Sequence, residues 1–107
     1  MKLTEITNTR NQALLSGLIR IRILYHACKE PIFGLGMIEE LQRHGYKMSA
    51  GTLYPMLHGL ESRGFLRSKK IRLGRRIRRI YRATASGKRA LTKAKEKVKL
   101  LLGELLE

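Results

Sequence analysis

Apolar residues recur along this chain at helical spacing, switch to a strand-like pattern near its middle, and return to helical spacing at its end. Residues 1–9 carry no period and read as a loose lead-in. From Arg10 to Lys29, Leu14, Leu18, Ile21, Tyr25 and Cys28 fall at steps of four and three on one helix face. Leu15, Ile19, Ile23 and Ala27 form a second, adjacent stripe. So wide an apolar arc has more to bury than one small core demands, so this helix is expected either to be central to the domain or to serve a subunit interface as well. Pro31 stops it, with Glu30 biased out of the helical region.

A second helix is expected from Phe33 to His44, with Met37, Ile38 and Leu41 inward and Gly45 as its stop. Ser49 then stands where an N-cap would, opening a third helix that reaches Arg63 and ends at Gly64. Leu53, Leu57 and Leu60 are its core stripe, while Gly51, Pro55, His58 and Ser62 make the opposite face small and polar. Pro55 lacks a backbone N–H, so a kink or a tight first turn is expected there. Phe65–Leu73 and Ile77–Ala83 read as two strands joined at Gly74, Arg75 and Arg76. Ile77 and Ile80 are three apart, which breaks the alternation and suggests a bulge or register shift. From Ala85 or Ser86 to Leu106 runs a last helix with Leu91, Ala94, Val98, Leu101 or Leu102, and Leu105 as its stripe. It follows a finished domain, so that stripe needs a partner helix.

The chain has 107 residues, one small domain's worth. Residues 10–84 are expected to form the core and 85–107 an appended helix within a single unit, 1–107. Lys and Arg number 23 against 8 acids, all of them Glu, for a formal net charge of +15. Residues 31–66 are net neutral, whereas residues 67–82 hold nine cations and no acid. That concentration points to a polyanion, nucleic acid before an anionic membrane surface. One cysteine excludes an intramolecular disulfide and a cysteine-based zinc site, and Cys28 reads as a small buried hydrophobe. Arg20 and Arg22 interrupt the longest apolar run, so no membrane span is expected, and no signal-peptide pattern appears near the start. A cytoplasmic protein is the expectation.

Enzymatic chemistry finds little to work with. A Ser-His-Asp set is impossible without Asp, and Gly34-Leu35-Gly36 follows no strand and lacks a third glycine. His26, His44 and His58 are spread along the sequence without companions at ligand spacing, so neither a metal nor a cofactor is expected. Three helices followed by a basic hairpin is instead the order of a winged helix, mainly α with a small β-hairpin. Its third helix can enter the major groove while the hairpin meets phosphate or the minor groove.

Three segments strengthen this. LLSGLIRIRILYHACKEPIFGLGMIEEL (Leu14–Leu41), SAGTLYPMLHGLESRGFL (Ser49–Leu66) and GRRIRRIYRATASGKRAL (Gly74–Leu91) together resemble the PadR family of winged-helix transcriptional regulators, in its short form. The middle segment is the most specific, because helix periodicity does not require the order Thr-Leu-Tyr-Pro. The resemblance implies a homodimer that represses transcription, paired through its first and last helices and often released by a small molecule that no residue here identifies. With six aromatic residues and no Trp, no tight site for large planar cations is expected.

The expected partner is double-stranded DNA. Around the third helix the candidates are Lys47, Ser49, Gly51, Thr52, Tyr54, Pro55 and His58, with Ser49 equally explained as a cap. On the hairpin they are Lys69, Lys70, Arg72, Arg75, Arg76, Arg78 and Arg79. Arg at the tip suits a narrow minor groove, and strand cations suit phosphates; alternation leaves roughly half able to reach one duplex. The expected dimer surface is Leu14, Leu18, Ile21, Tyr25, Leu91, Val98, Leu101, Leu102 and Leu105. The alternative is a basic DNA-packaging or RNA-binding protein that uses the hairpin without reading bases.

Overall fold

A computed structural model describes residues 12–107 of the chain. The expected start of the first helix at Arg10, and the lead-in before it, lie outside those residues. The order is α1 (Gln12–Lys29), β1 (Ile32–Phe33), α2 (Gly34–Arg43), α3 (Ala50–Ser62), β2 (Leu66–Leu73), β3 (Arg76–Ala83) and α4 (Ala85–Leu105). The three strands form one antiparallel sheet in the order β1-β3-β2. This is the mainly α winged helix that the pattern predicts, with one addition. Ile32 and Phe33 pair with Tyr81 and Ile80, so the segment after Pro31 is a third strand. Two residues are too few to show a period, which is why the sequence pattern does not reveal it.

Each helix ends where local chemistry ends it. Gly45 and Gly64 take φ of 88° and 82°, the left-handed conformation that closes α2 and α3. Tyr46 and Phe65 then donate their N–H groups back to Leu41 and Leu60. At the start of α4 the Thr84 hydroxyl accepts from Gly87 N at 3.0 Å and donates to Gly64 O. Gly87 itself lies against the Phe65 carbonyl, where a β-carbon would overlap it.

The core gathers Ile19, Ile23, Leu24 and Ala27 of α1 with Met37 and Leu41 of α2. Met48 ahead of α3, Leu53, Met56, Leu57 and Leu60 of α3, Ile32, Leu66 and Tyr81 of the sheet, and Leu91 of α4 complete it. Of the two stripes on α1, the second is therefore the one that faces the protomer's core. Leu14 stays 81% exposed, and Leu18 and Tyr25 also face outward. Leu91, grouped by periodicity with the interface stripe, packs into the protomer's own core, whereas Val98, Leu101, Leu102 and Leu105 remain outside. Cys28 is partly buried in contact with the core, and its burial raises the thiol pKa.

The hairpin departs from expectation in one respect. Eight consecutive pairs from Leu66↔Ala83 to Leu73↔Arg76 run in constant register, with neither bulge nor slip. Gly74 at φ 63°, followed by Arg75 without positive φ, makes a two-residue turn, and Arg76 already belongs to β3. The irregular apolar spacing has a different cause: Ile80 and Tyr81 are both buried, on opposite faces of the same strand.

Candidate nucleic-acid interface

The third helix presents the face that its sequence predicts. Leu53, Met56, Leu57 and Leu60 are buried, while Gly51, Pro55, His58 and Ser62 are exposed on the other side. The helix runs on through Pro55, and in its first turn both Thr52 N and Leu53 N donate to Ser49 O, at 3.1 and 3.0 Å, the tight turn that was one of the two alternatives expected there. The carbonyl that Pro55 cannot satisfy is that of Gly51, and both residues are exposed, so water can take the bond. Ser49 occupies the N-cap position but its hydroxyl makes no cap bond. It lies instead 3.3 Å from the Thr52 hydroxyl, leaving two oxygens together at the exposed start of the helix. Lys47, also exposed, precedes them on the connecting turn.

Tyr54 sits where the helix meets the hairpin. Its ring covers Gly34, the first residue of α2, which has no side chain to obstruct it. β1 ends at Phe33, so beyond Ile80 the edge of β3 has no further neighbour. Along that edge a crevice of 320 Å³ is lined by Gly34, Leu35, Tyr54, Arg76, Arg78 and Arg79, among others. The fold thus brings together Tyr54 and three hairpin cations that the sequence separates by more than twenty positions.

A second link ties the hairpin to α3. Glu61 accepts from Ser68 N at 2.9 Å and from Ser68 Oγ at 2.7 Å, and Arg79 Nη1 donates to the same Oγ at 3.0 Å. The Ser68 bonds, above all that of its hydroxyl, hold the Glu61 carboxyl below its usual pKa. Glu61 and Ser68 were not singled out by sequence. The available signal was Glu61 as the only acid of α3, a few residues ahead of a run of nine cations.

Strand alternation divides the other hairpin cations. Lys70 and Arg72 share with Arg79 the face of Leu66 and Tyr81, turned to the helices. Lys69, Arg76 and Arg78 lie on the opposite face, together with Arg67 and Arg82, which periodicity did not single out. Arg75 is at the turn.

His26 and His44, far apart in sequence, both approach Glu40. His26 Nε2 lies 3.6 Å and His44 Nε2 3.3 Å from Oε1, while Arg43 binds Oε2. Burial, the largest influence, lowers the His26 pKa, and its Nε2 is buried without a hydrogen-bond partner. Among the described residues, no group of three His, Cys, Asp or Glu is arranged to hold a metal ion. Likewise, no helix of the described residues is long and apolar enough to cross a membrane.

A three-helix body with a basic, two-stranded wing beside the exposed face of its third helix defines a winged-helix protein. The profile of the transcriptional regulator PadR-like family matches residues 23–93, and the chain belongs to that family. It is 44% identical over 88 residues to the transcriptional regulator Rv3488 of Mycobacterium tuberculosis, covering 82% of each chain. The fold is similar to the crystal structure of a PadR family transcriptional regulator from Eggerthella lenta. There the TM-score is 0.79 and the identity 32%, with 96% of this chain and 94% of that one covered. A PadR-like regulator from Bacillus cereus, 24% identical with a TM-score of 0.76 over 89% of this chain and 97% of that one, shares the fold. The family is one of transcriptional regulators, which is not an enzyme class.

Proposed function

We propose that the protein is a sequence-specific, homodimeric DNA-binding repressor. Residues 10–84 read DNA, and 85–107 dimerise together with α1. The observation that carries this reading is the exposed polar face of α3 standing beside the crevice where Tyr54 meets Arg76, Arg78 and Arg79. Thr52 and His58 on that face meet base edges in the major groove. Lys47, the Ser49 hydroxyl and the wing cations Lys70, Arg72, Arg75, Arg76, Arg78 and Arg79 meet phosphate. The Glu61–Ser68–Arg79 link supports the reading, because a wing held at a set angle to α3 can address the same duplex.

The dimer is supported by the outward residues of α1 and α4, which pack along each other. Leu14, Leu18 and Tyr25 on one and Val98, Leu101, Leu102 and Leu105 on the other leave a broad apolar surface uncovered. Each leucine buried there would contribute about 1.5–3 kcal/mol. An effector would act by changing the spacing of the two α3 helices in such a dimer.

The deciding experiment compares binding to the DNA upstream of the protein's own gene with binding to random duplex at about 0.15 M salt. Specific regulators prefer their sites by about 10³-fold or more. A ratio near one would leave the non-specific packaging or RNA-binding reading in its place.

A further inference from the structure

The hairpin register sets two like-charge pairs directly across from each other, Lys70 with Arg79 on the face turned to the helices and Arg67 with Arg82 on the outer face at the root of the wing. Like charges directly opposite each other destabilise an antiparallel pair. No acid relieves the outer pair: every ion pair among the described residues is made by Glu40, on α2. Glu61, the acid that reaches the sheet, accepts from Ser68 on the inner face.

Lys69 joins the two arginines around a cavity of 350 Å³ on the outer face. Its floor is Ile80, only 5% exposed yet separate from the main core cluster. Phe33, directly across from Ile80 on β1, shares that face and covers it from one side, and the aliphatic stems of the cations can cover the rest while their charged heads stay at the rim. The result is a concave surface with three convergent cations and no anion of its own.

We propose that this outer root of the wing is a second phosphodiester-binding surface, which takes the backbone of a second DNA duplex, so that one molecule bridges two duplexes. The proposal rests on the reading of the front face as a DNA-binding surface. Arg67 lies six residues from Leu73 at the hairpin's end, about 20 Å at the rise of a strand. A tip inserted in a minor groove about 6 Å wide leaves this root well behind it, with the sheet between it and α3. The phosphates under α3 and the tip are therefore not those that Arg67 and Arg82 meet. Charge complementarity selects a polyanion, and the duplex is the polyanion that the front face already brings near.

The test fixes a duplex of upstream DNA on beads and loads it with the full-length protein at about 0.15 M salt. Free labelled duplex is then offered for capture. Wild-type protein is expected to retain the labelled duplex. The double variant Arg67→Gln/Arg82→Gln is expected to bind single duplex in solution within about twofold of wild type but to capture about tenfold less of the second. Its melting temperature should not fall, since the change removes a like-charge pair. Bridging through two front faces of a dimer would survive in this variant, so capture equal to wild type overturns the proposal. So does loss of single-duplex affinity in step with capture, which would put these cations on the first duplex. A wild type that binds single duplex but captures no second one overturns the proposal and leaves the DNA-binding reading standing. A wild type that binds no duplex overturns both.

Discussion

The ring of Tyr54 on α3 lies against the backbone of Gly34 at the start of α2, so closely that a β-carbon on Gly34 would overlap the ring and its hydroxyl. This contact sets the floor of the crevice that faces Arg76, Arg78 and Arg79. Gly34→Ala should therefore displace the ring, lowering stability by about 1–3 kcal/mol and weakening DNA binding. Adding Tyr54→Ala should restore most of the stability but not the binding. A double-mutant cycle on melting and on duplex affinity measures both. Additive stability effects would show that the two residues do not constrain each other.

A similar close approach holds α4. Gly87→Ala would drive a β-carbon into the Phe65 carbonyl, which is backbone and cannot turn aside. Thr84→Val removes the hydroxyl that bonds both Gly87 N and Gly64 O. Loss of such a cap costs about 1–2 kcal/mol, and Gly87→Ala should cost more than that. Denaturant titration of the two variants gives the comparison.

Tyr81 is fully buried and its hydroxyl has no hydrogen-bond partner. Burial accordingly raises its pKa. An unsatisfied buried hydroxyl costs about 1–3 kcal/mol, so Tyr81→Phe should leave stability unchanged or increase it. A drop of more than about 1 kcal/mol in denaturant unfolding would mean that the hydroxyl is bonded after all.

Two pH windows follow from His26 and Glu61. The His26 pKa is lowered, so the unfolded chain binds that proton more tightly than the native one. Its contribution is complete above the ordinary imidazole value of about 6.5 and is lost as the pH falls through that value toward the folded one. The Glu61 pKa is also lowered, by the bonds from Ser68. Its contribution is present above the ordinary carboxyl value of about 4.3 and disappears as the pH falls below that. His26→Gln should flatten the loss of melting temperature between about pH 7 and 5, and Glu61→Gln the loss below about pH 4.5. Unchanged slopes in the variants would assign the pH response to other groups.

Leu101 and Leu105 are more than half exposed on α4, at 55% and 70%. Leu101→Glu/Leu105→Glu should leave the fold intact and give a monomer in sedimentation at micromolar concentration. Specific DNA affinity should fall sharply with it, because each half-site contact would then stand alone. A wild-type protein that sediments as a compact monomer would remove the dimer from the proposal.

Much of this molecule is legible in its sequence because the relevant physics is local. The steps of three and four along α1, α3 and α4 follow from the helical repeat. Gly45, Gly64 and Gly74 mark their turns because a positive φ suits a residue without a β-carbon. The nine cations between residues 67 and 82 announce an anionic partner in any fold. What tertiary structure decides is whatever depends on distant neighbours. Two stripes on α1 are apolar, and only the packing of α4 and β3 against that helix selects Ile19, Ile23 and Ala27 for the core. Ile32 and Phe33 become a strand only because β3 offers an edge to pair with. Ser49 satisfies the rule for a helix cap, yet its hydroxyl lies by Thr52 instead. Glu61, Ser68 and Arg79 meet, and Arg67 faces Arg82, only once the hairpin register is set across a turn and against a helix. Charge and periodicity are properties of the chain, whereas the neighbour across a strand is a property of the fold.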